Sequence, residues 1–211
     1  MYTRILSIDP GGTTAGFCIT DYDDATGKSY VVDAHTVHLD KLVKQYYSDE
    51  CKFYGEKITR LYALKDAVFK VLESWEPFYI VSEGPYMGSF VTAFASLTSC
   101  VTAIRFAARE LSGYKDVTVI DPATVKKSIG VSGKSGDKNL VRLAISKRDI
   151  TYTNVSLDDL DEHSVDAIAV GQWFIDTCIR RQNEHTEPCS LNWRDRNKTP
   201  KTRGKNRKEN K

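Results

Sequence analysis

No apolar run in this sequence approaches the roughly 20 residues of a membrane span, and its first residues, MYTRILS, lack the long apolar core of a secretory leader. A cytoplasmic protein is expected. Cysteine is sparse and unpatterned: Cys18, Cys51, Cys100, Cys178 and Cys189 are odd in number and never fall in a C-x-x-C pair. Neither a disulfide framework nor a zinc site follows from such spacing, and Cys18, Cys100 and Cys178 read as core thiols. The nucleotide-binding P-loop is missing too, because Gly130 and Gly133 stand at the wrong separation before Lys134-Ser135.

The 211 residues are 41% hydrophobic, enough to build one sizeable core. Net charge is only +2, but residues 193–211 hold nine Lys or Arg against Asp195 and Glu209, a surplus of +7 that leaves −5 for the other 192 residues. That terminal segment has almost no apolar content and no periodicity, so it is expected to be disordered. It reads either as a solubilising terminus or as an arm that attaches to nucleic-acid phosphates by releasing counterions. The expected division is a folded domain over residues 1–181 and a basic tail over 182–211.

Residues 4–16, RILSIDPGGTTAG, organise the rest. Ile5, Leu6 and Ile8 form a short buried strand, and Asp9 ends it where Pro10-Gly11-Gly12 turns the chain. An acid is thereby placed at the tip of a core strand, where it either caps its own turn or serves chemistry. Ala15, Phe17, Cys18 and Ile19 return as the second strand of a hairpin, and residues 29–35 add a third. A short helix over 39–47 and a polar interruption, SDECKFYGEK, precede an amphipathic helix over 58–75 with apolar residues three and four apart.

A fourth strand, FYIV, again delivers an acid, Glu83, at its carboxyl end, where ligands of open α/β sheets sit. The alternative is a structural salt bridge. Residues 89–111 form the longest helical pattern, apolar around most of its girth, so it needs cover on two sides. A second copy of the chain across a two-fold axis would supply the outer cover and make a homodimer; complete burial within one chain is the other possibility. Residues 116–120 make a fifth strand, and Asp121-Pro122 starts a helix as N-cap and first helical residue. Strands alternating with helices after an antiparallel start predict an α/β fold, a mixed five-stranded sheet with helices on both faces.

Lys126, Lys127, Lys134 and Lys138 flank a Gly/Ser-rich loop, GVSGKSGDK, suited to cradling phosphate or simply to solvation. The last helix starts in an acidic run. His163 and Asp166 there sit three residues apart on one face, with Glu162 alongside; dipole complementation alone would explain acids at that position. Asp9, Glu83, His163 and Asp166 together form a hard, oxygen-rich donor set of the kind that suits Mg²⁺ or Mn²⁺. Two such ions activate water and stabilise the leaving oxygen in phosphodiester hydrolysis.

IDPGGTTAGFCI, YIVSEGPYMG, PATVKKSIGVSGKSGDKNLV and DEHSVDAIAVGQW, in this order, resemble the RuvC-type Holliday-junction resolvases of the RNase H-like superfamily. The resemblance runs from about Arg4 to Ile179. It implies an endodeoxyribonuclease that resolves four-way junctions by paired nicks, with two metal ions held by Asp9, Glu83, His163 and Asp166. It also implies that Asp9 bridges both ions, Glu83 orients one, and Asp166 with His163 completes the other. Tyr86 matches an aromatic that stacks on a base near the crossover, and Lys126 and Lys138 match basic positions near the scissile phosphate. A dimer through residues 89–111 is implied as well. Residues 39–57 and the basic extension lie outside the pattern.

IDPGGTT also resembles the phosphate loop of actin-like ATPases and sugar kinases, but those need a duplicated domain and this chain shows no second copy of the loop. A nuclease acting on flaps, other branched DNA or RNA/DNA hybrids, and a junction binder without catalysis, remain the alternatives.

Overall fold

The computed structural model describes residues 1–86, 91–111, 116–131 and 139–181. The expected tail over 182–211, with Cys189 and Trp193, lies outside the described residues, as do Lys134 and Lys138.

Three strands open the chain, β1 (Tyr2–Asp9), β2 (Thr14–Asp23) and β3 (Lys28–His38), paired antiparallel as a meander. Three helices follow, α1 (Leu39–Tyr46), α2 (Ser48–Tyr54) and α3 (Glu56–Trp75). Then come β4 (Tyr79–Glu83), α4 (Val91–Glu110), β5 (Thr118–Ile120), α5 (Pro122–Ser128), α6 (Asn139–Ser146), β6 (Ile150–Tyr152) and α7 (Glu162–Phe174). The sheet order is β5-β4-β1-β2-β3-β6, with β4 parallel to β1, β5 parallel to β4 and β6 parallel to β3.

The two-residue period of the strands sorts their side chains between two cores. Leu6 and Ile8 of β1, Phe17 and Ile19 of β2, and Ile80 of β4 face the layer of α1, α3 and α4. Ile5, Cys18 and Val81 face the opposite layer, which contains α5, α6 and α7. By that alternation Asp9, Gly16 and Glu83 belong to the α7 side.

The structure bears out the mixed α/β sheet with helices on both faces but corrects it in detail. Six strands are present rather than five. β6 has three residues, none fully buried, so no alternation was there to read. The polar interruption after the first helix is itself helical: α2 buries none of its residues, so it carries no apolar stripe to reveal it. In α3 the expected face shifts by one residue at its start, where Ile58 is exposed and Thr59 buried.

α4 buries Cys100, Val101, Ala103, Ile104, Ala107 and Ala108 in its second half, against α3 and the sheet. Its first turns are open, with Val91 76% exposed. Against the expectation of no such segment, α4 is long and apolar enough by length and composition to cross a membrane, its best window having a mean hydropathy of 1.4. Ser and Thr interrupt its apolar residues in the sequence yet weigh little in that average. A third of that window is buried, all of it in the half that packs on α3 and the sheet.

α7 is the helix buried on nearly all sides, with every residue from Val165 to Phe174 buried except Asp166. It lies on β1 and β2 at backbone distance, and two glycines make this possible. A Cβ on Gly16 would stand 2.0 Å from the carbonyl oxygen of His163, and one on Gly171 would stand 2.8 Å from Ser7 Oγ. Gly16→Ala therefore forces α7 off the sheet. Urea unfolding is expected to show a loss of about 3 kcal/mol, the upper range for overpacked core sites; an alanine variant as stable as the parent would mean that α7 is not seated this closely.

Candidate active site

Asp9 and Glu83 end the neighbouring parallel strands β1 and β4, whose register pairs Ile8 with Ser82 one residue earlier. Their carboxylates reach the α7 side at the carboxyl edge of the sheet, the usual ligand position in α/β folds. The first turn of α7 comes down beside them because Gly16, opposite Asp9 in the β1–β2 register, has no side chain to hold it away.

The start of α7 is fixed by its own cap. Asp161 Oδ1 accepts from the Ser164 backbone N–H at 3.0 Å, and Thr36 Oγ1 of β3 donates to the same oxygen. Thr36 Oγ1 also lies 2.9 Å from Ser164 Oγ. Burial pushes the Asp161 carboxyl up, but these hydrogen bonds outweigh it and hold it below the usual carboxylate range. Arg142 of α6 donates to the carbonyls of Leu157 and Leu160, anchoring the segment that leads into the helix.

With the helix start fixed, His163 Nδ1 lies 2.9 Å from Asp9 Oδ2. A carboxylate only accepts, so Nδ1 carries the proton. The Asp9 hydrogen bond raises the His163 pKa above its ordinary value, against the opposing effect of burial. Nε2 lies 4.0 Å from Glu162 Oε1.

Glu83 and Asp166 complete an unbalanced cluster. Burial, then the nearby charges of Asp9 and Asp166, push the Glu83 carboxyl up to about 8, with Lys126 acting in the opposite direction. Burial and Asp9 likewise raise Asp166 to about 6, with Lys126 and His163 offsetting part of that. Three carboxylates thus share one electrostatic neighbourhood that contains too little positive charge. Among the described residues, no group of three or more His, Cys, Asp or Glu side chains already stands in metal-binding geometry, and Asp9 is engaged by His163. The chemistry of the donor set nevertheless fits a hard divalent cation, which would relieve the repulsion that adds to burial in raising Glu83 and Asp166.

The sequence-predicted residues divide accordingly. Asp9, Glu83, His163, Asp166 and Lys126 converge, as the Asp9 contact and the mutual pKa effects record. Lys127 is exposed on α5, and Tyr86 is 62% exposed where the chain leaves β4. A cleft of about 650 Å³ opens at His163 and Asp166, also lined by Thr14, His38, Asn139 and Arg142. Thr36, His38 and Arg142 were not anticipated, since nothing local marks residues that act across 15 to 125 positions of sequence. Gly16 did carry a signal: a glycine inside a strand marks a close backbone approach.

No described protein family and no curated protein sequence matches this chain. Solved structures do. Thermus thermophilus RuvC in complex with Holliday junction substrate superposes with a TM-score of 0.55 at 18% identity, covering 82% of this chain and 96% of that one. The chain has the RuvC-type resolvase fold. Yeast mitochondrial Holliday junction resolvase gives a TM-score of 0.56 at 13% identity over 82% of this chain and 78% of its own. Fowlpox virus Holliday junction resolvase gives 0.52 at 13%, over 83% and 99%. The RuvC-type fold places the ends of β1 and β4 and the start of α7 side by side, which is where the acidic cluster lies.

The raised carboxyl pKa values set a pH dependence. Between the ordinary carboxylate range near 4.5 and about 8, the folded chain holds a proton on Glu83 that the unfolded chain releases, so stability falls as pH rises. His163, raised as well, acts in the same direction from its ordinary value upward. In a chelator, urea unfolding of the parent is expected to weaken between pH 5 and pH 8.5, by at most about 1.4 kcal/mol per pH unit for each titrating group. Glu83→Gln should flatten this slope and leave the protein more stable than the parent at pH 8.5. Identical slopes would show that Glu83 is not buried among like charges.

Proposed function

We propose that the protein is a structure-selective endodeoxyribonuclease that resolves four-way DNA junctions by paired nicks, using two divalent cations, Mg²⁺ or Mn²⁺, at each active site. The observation that carries this is the convergence of Asp9, Glu83, His163 and Asp166, drawn from three separate elements, at the carboxyl edge of a RuvC-type sheet. The neighbours whose structures bear that fold are Holliday junction resolvases, two of them solved with junction DNA.

Asp9, Glu83, Asp166 and His163 are the residues that would hold the ions. When bound, divalent cations supply activation of water and neutralisation of charge on the phosphodiester. The chain's own groups do the positioning. Asp9 orients His163 through Nδ1, which leaves Nε2 free of that bond for a water or an ion. Lys126, already electrostatically coupled to Glu83 and Asp166, offsets charge that builds on the phosphate oxygens. Tyr86, exposed three residues beyond Glu83, offers a ring for a splayed base. Lys127, Lys134 and Lys138 add phosphate contacts, and the basic tail adds sequence-independent affinity.

A homodimer follows from the same reading. The open first turns of α4, with Val91 exposed and Phe94 and Leu97 half-buried, form the apolar face that a second copy would cover. Two active sites related by a two-fold axis match the two symmetric strands of a junction.

An end-labelled synthetic junction with duplex, flap and RNA/DNA hybrid controls tests the activity. Paired symmetric nicks are expected in Mg²⁺, abolished by chelator and reduced by at least about a thousandfold in Asp9→Asn, which keeps the shape but loses a charged ligand. Cleavage of flap or hybrid instead would keep the metal site and discard junction selectivity, while binding without cleavage would make the protein a junction binder. Sedimentation is expected to show a dimer that Val91→Glu with Leu97→Glu converts to a monomer. A monomeric parent would refute the α4 interface.

A further inference from the structure

His38 lines two clefts, the one that opens at the active site and a second of about 820 Å³ between the end of β3 and the helices α1 and α3. The second cleft has Lys41 and Tyr46 of α1 on one wall and Lys70 of α3 on the other. Both lysines are exposed, and neither forms an ion pair or hydrogen bond with any described residue. Several neighbouring cations are paired, Lys52 with Asp49, Arg60 with Glu56 and Lys65 with Glu110, while Lys44 of α1, outside the cleft, has no such contact with a described residue. The acid in the cleft wall, Asp66, is occupied by the Tyr47 hydroxyl, which donates to it at 2.8 Å. His35 bonds Asp33 at 3.0 Å and stacks on Phe17 at 5.5 Å, so it builds the wall and leaves the positive charge to the lysines. Tyr46 is 65% exposed and makes no ring contact with another described aromatic.

We infer that this second cleft is a strand-binding groove that continues the active-site cleft past His38, taking the phosphates of one DNA strand on Lys41 and Lys70 and a base on Tyr46. The inference rests on the nuclease reading and assigns α1, part of the segment outside the resolvase pattern, to substrate binding. Charge and continuity both favour a nucleic-acid strand. Unpaired cations on facing walls suit a polyanion threaded between them, and a strand held at His163 and Asp166 has to leave their cleft along some neighbouring surface. An exposed tyrosine ring beside such cations is the usual platform for sequence-tolerant stacking.

Fluorescence anisotropy of the full chain with a labelled four-way junction, in chelator and over a series of salt concentrations, tests this. The double variant Lys41→Ala with Lys70→Ala is expected to bind roughly tenfold more weakly at physiological salt, with a logarithmic salt slope shallower by about 1.4–1.8, the value for two lost phosphate contacts. Tyr46→Ala should weaken binding by roughly tenfold with the salt slope unchanged. Lys44→Ala, on the same helix but outside the cleft, should match the parent. All these side chains are exposed, so thermal unfolding should be unaffected. If the parent binds the junction and the double variant binds it with the same affinity and slope, the groove is refuted while the nuclease reading stands. If the parent binds no DNA at all, both fall together.

Discussion

The closeness of α7 to the sheet is the constraint on which the rest of the molecule depends. A helix that sits at ordinary side-chain distance from a sheet keeps its backbone roughly 10 Å away from it. Here the His163 carbonyl lies against Gly16 and the Gly171 backbone against the small side chain of Ser7, with no room for a Cβ on either glycine. The apolar surface of α7 buried against β1, β2 and β3 supplies the attraction, and Gly16 with Gly171 removes the steric limit that would normally stop the approach. The consequence is local to one end. Only because the first turn is pressed onto Gly16 can a histidine on the helix reach an aspartate on the strand opposite.

That geometry would be unstable if the carboxylates it gathers were all ionised without compensation. Burial and mutual repulsion raise the Glu83 and Asp166 pKa values, and Lys126 and His163 stand close enough to offset part of that. A site arranged like this is poised for cations, because binding one converts a destabilising concentration of negative charge into coordination. The Thr36–Asp161–Ser164 contacts and the Arg142 anchor frame the cluster from outside, with Asp161 adding a negative charge that acts on His163. They hold the helix start still, so the strain of the acidic pair is borne by a rigid frame instead of a loop.

Much of this was readable from residues alone. Asp9 and Glu83 each follow a short apolar run and precede a glycine- or proline-containing turn, so their position at strand ends follows from local pattern. His163 and Asp166 follow from helical spacing behind an acidic cap. The misses have an equally local cause. α2 has no buried face, β6 has three half-exposed residues, and the second cleft is assembled from β3, α1 and α3, whose lining residues lie up to 36 positions apart. Periodicity reports burial, and elements that bury little leave no periodic trace.

The sequence by itself determined the class of the sheet, the acids at its edge and the helix that faces them, because strand alternation, turn residues and caps act over a few neighbouring positions. Only the tertiary structure decided that these acids meet one another, that Gly16 lets α7 close on them, and that two lysines beside the cleft have no partner among the described residues. Such facts depend on distances between segments well separated in the chain, by 154 positions between Asp9 and His163, and pair distances at that range are a property of packing.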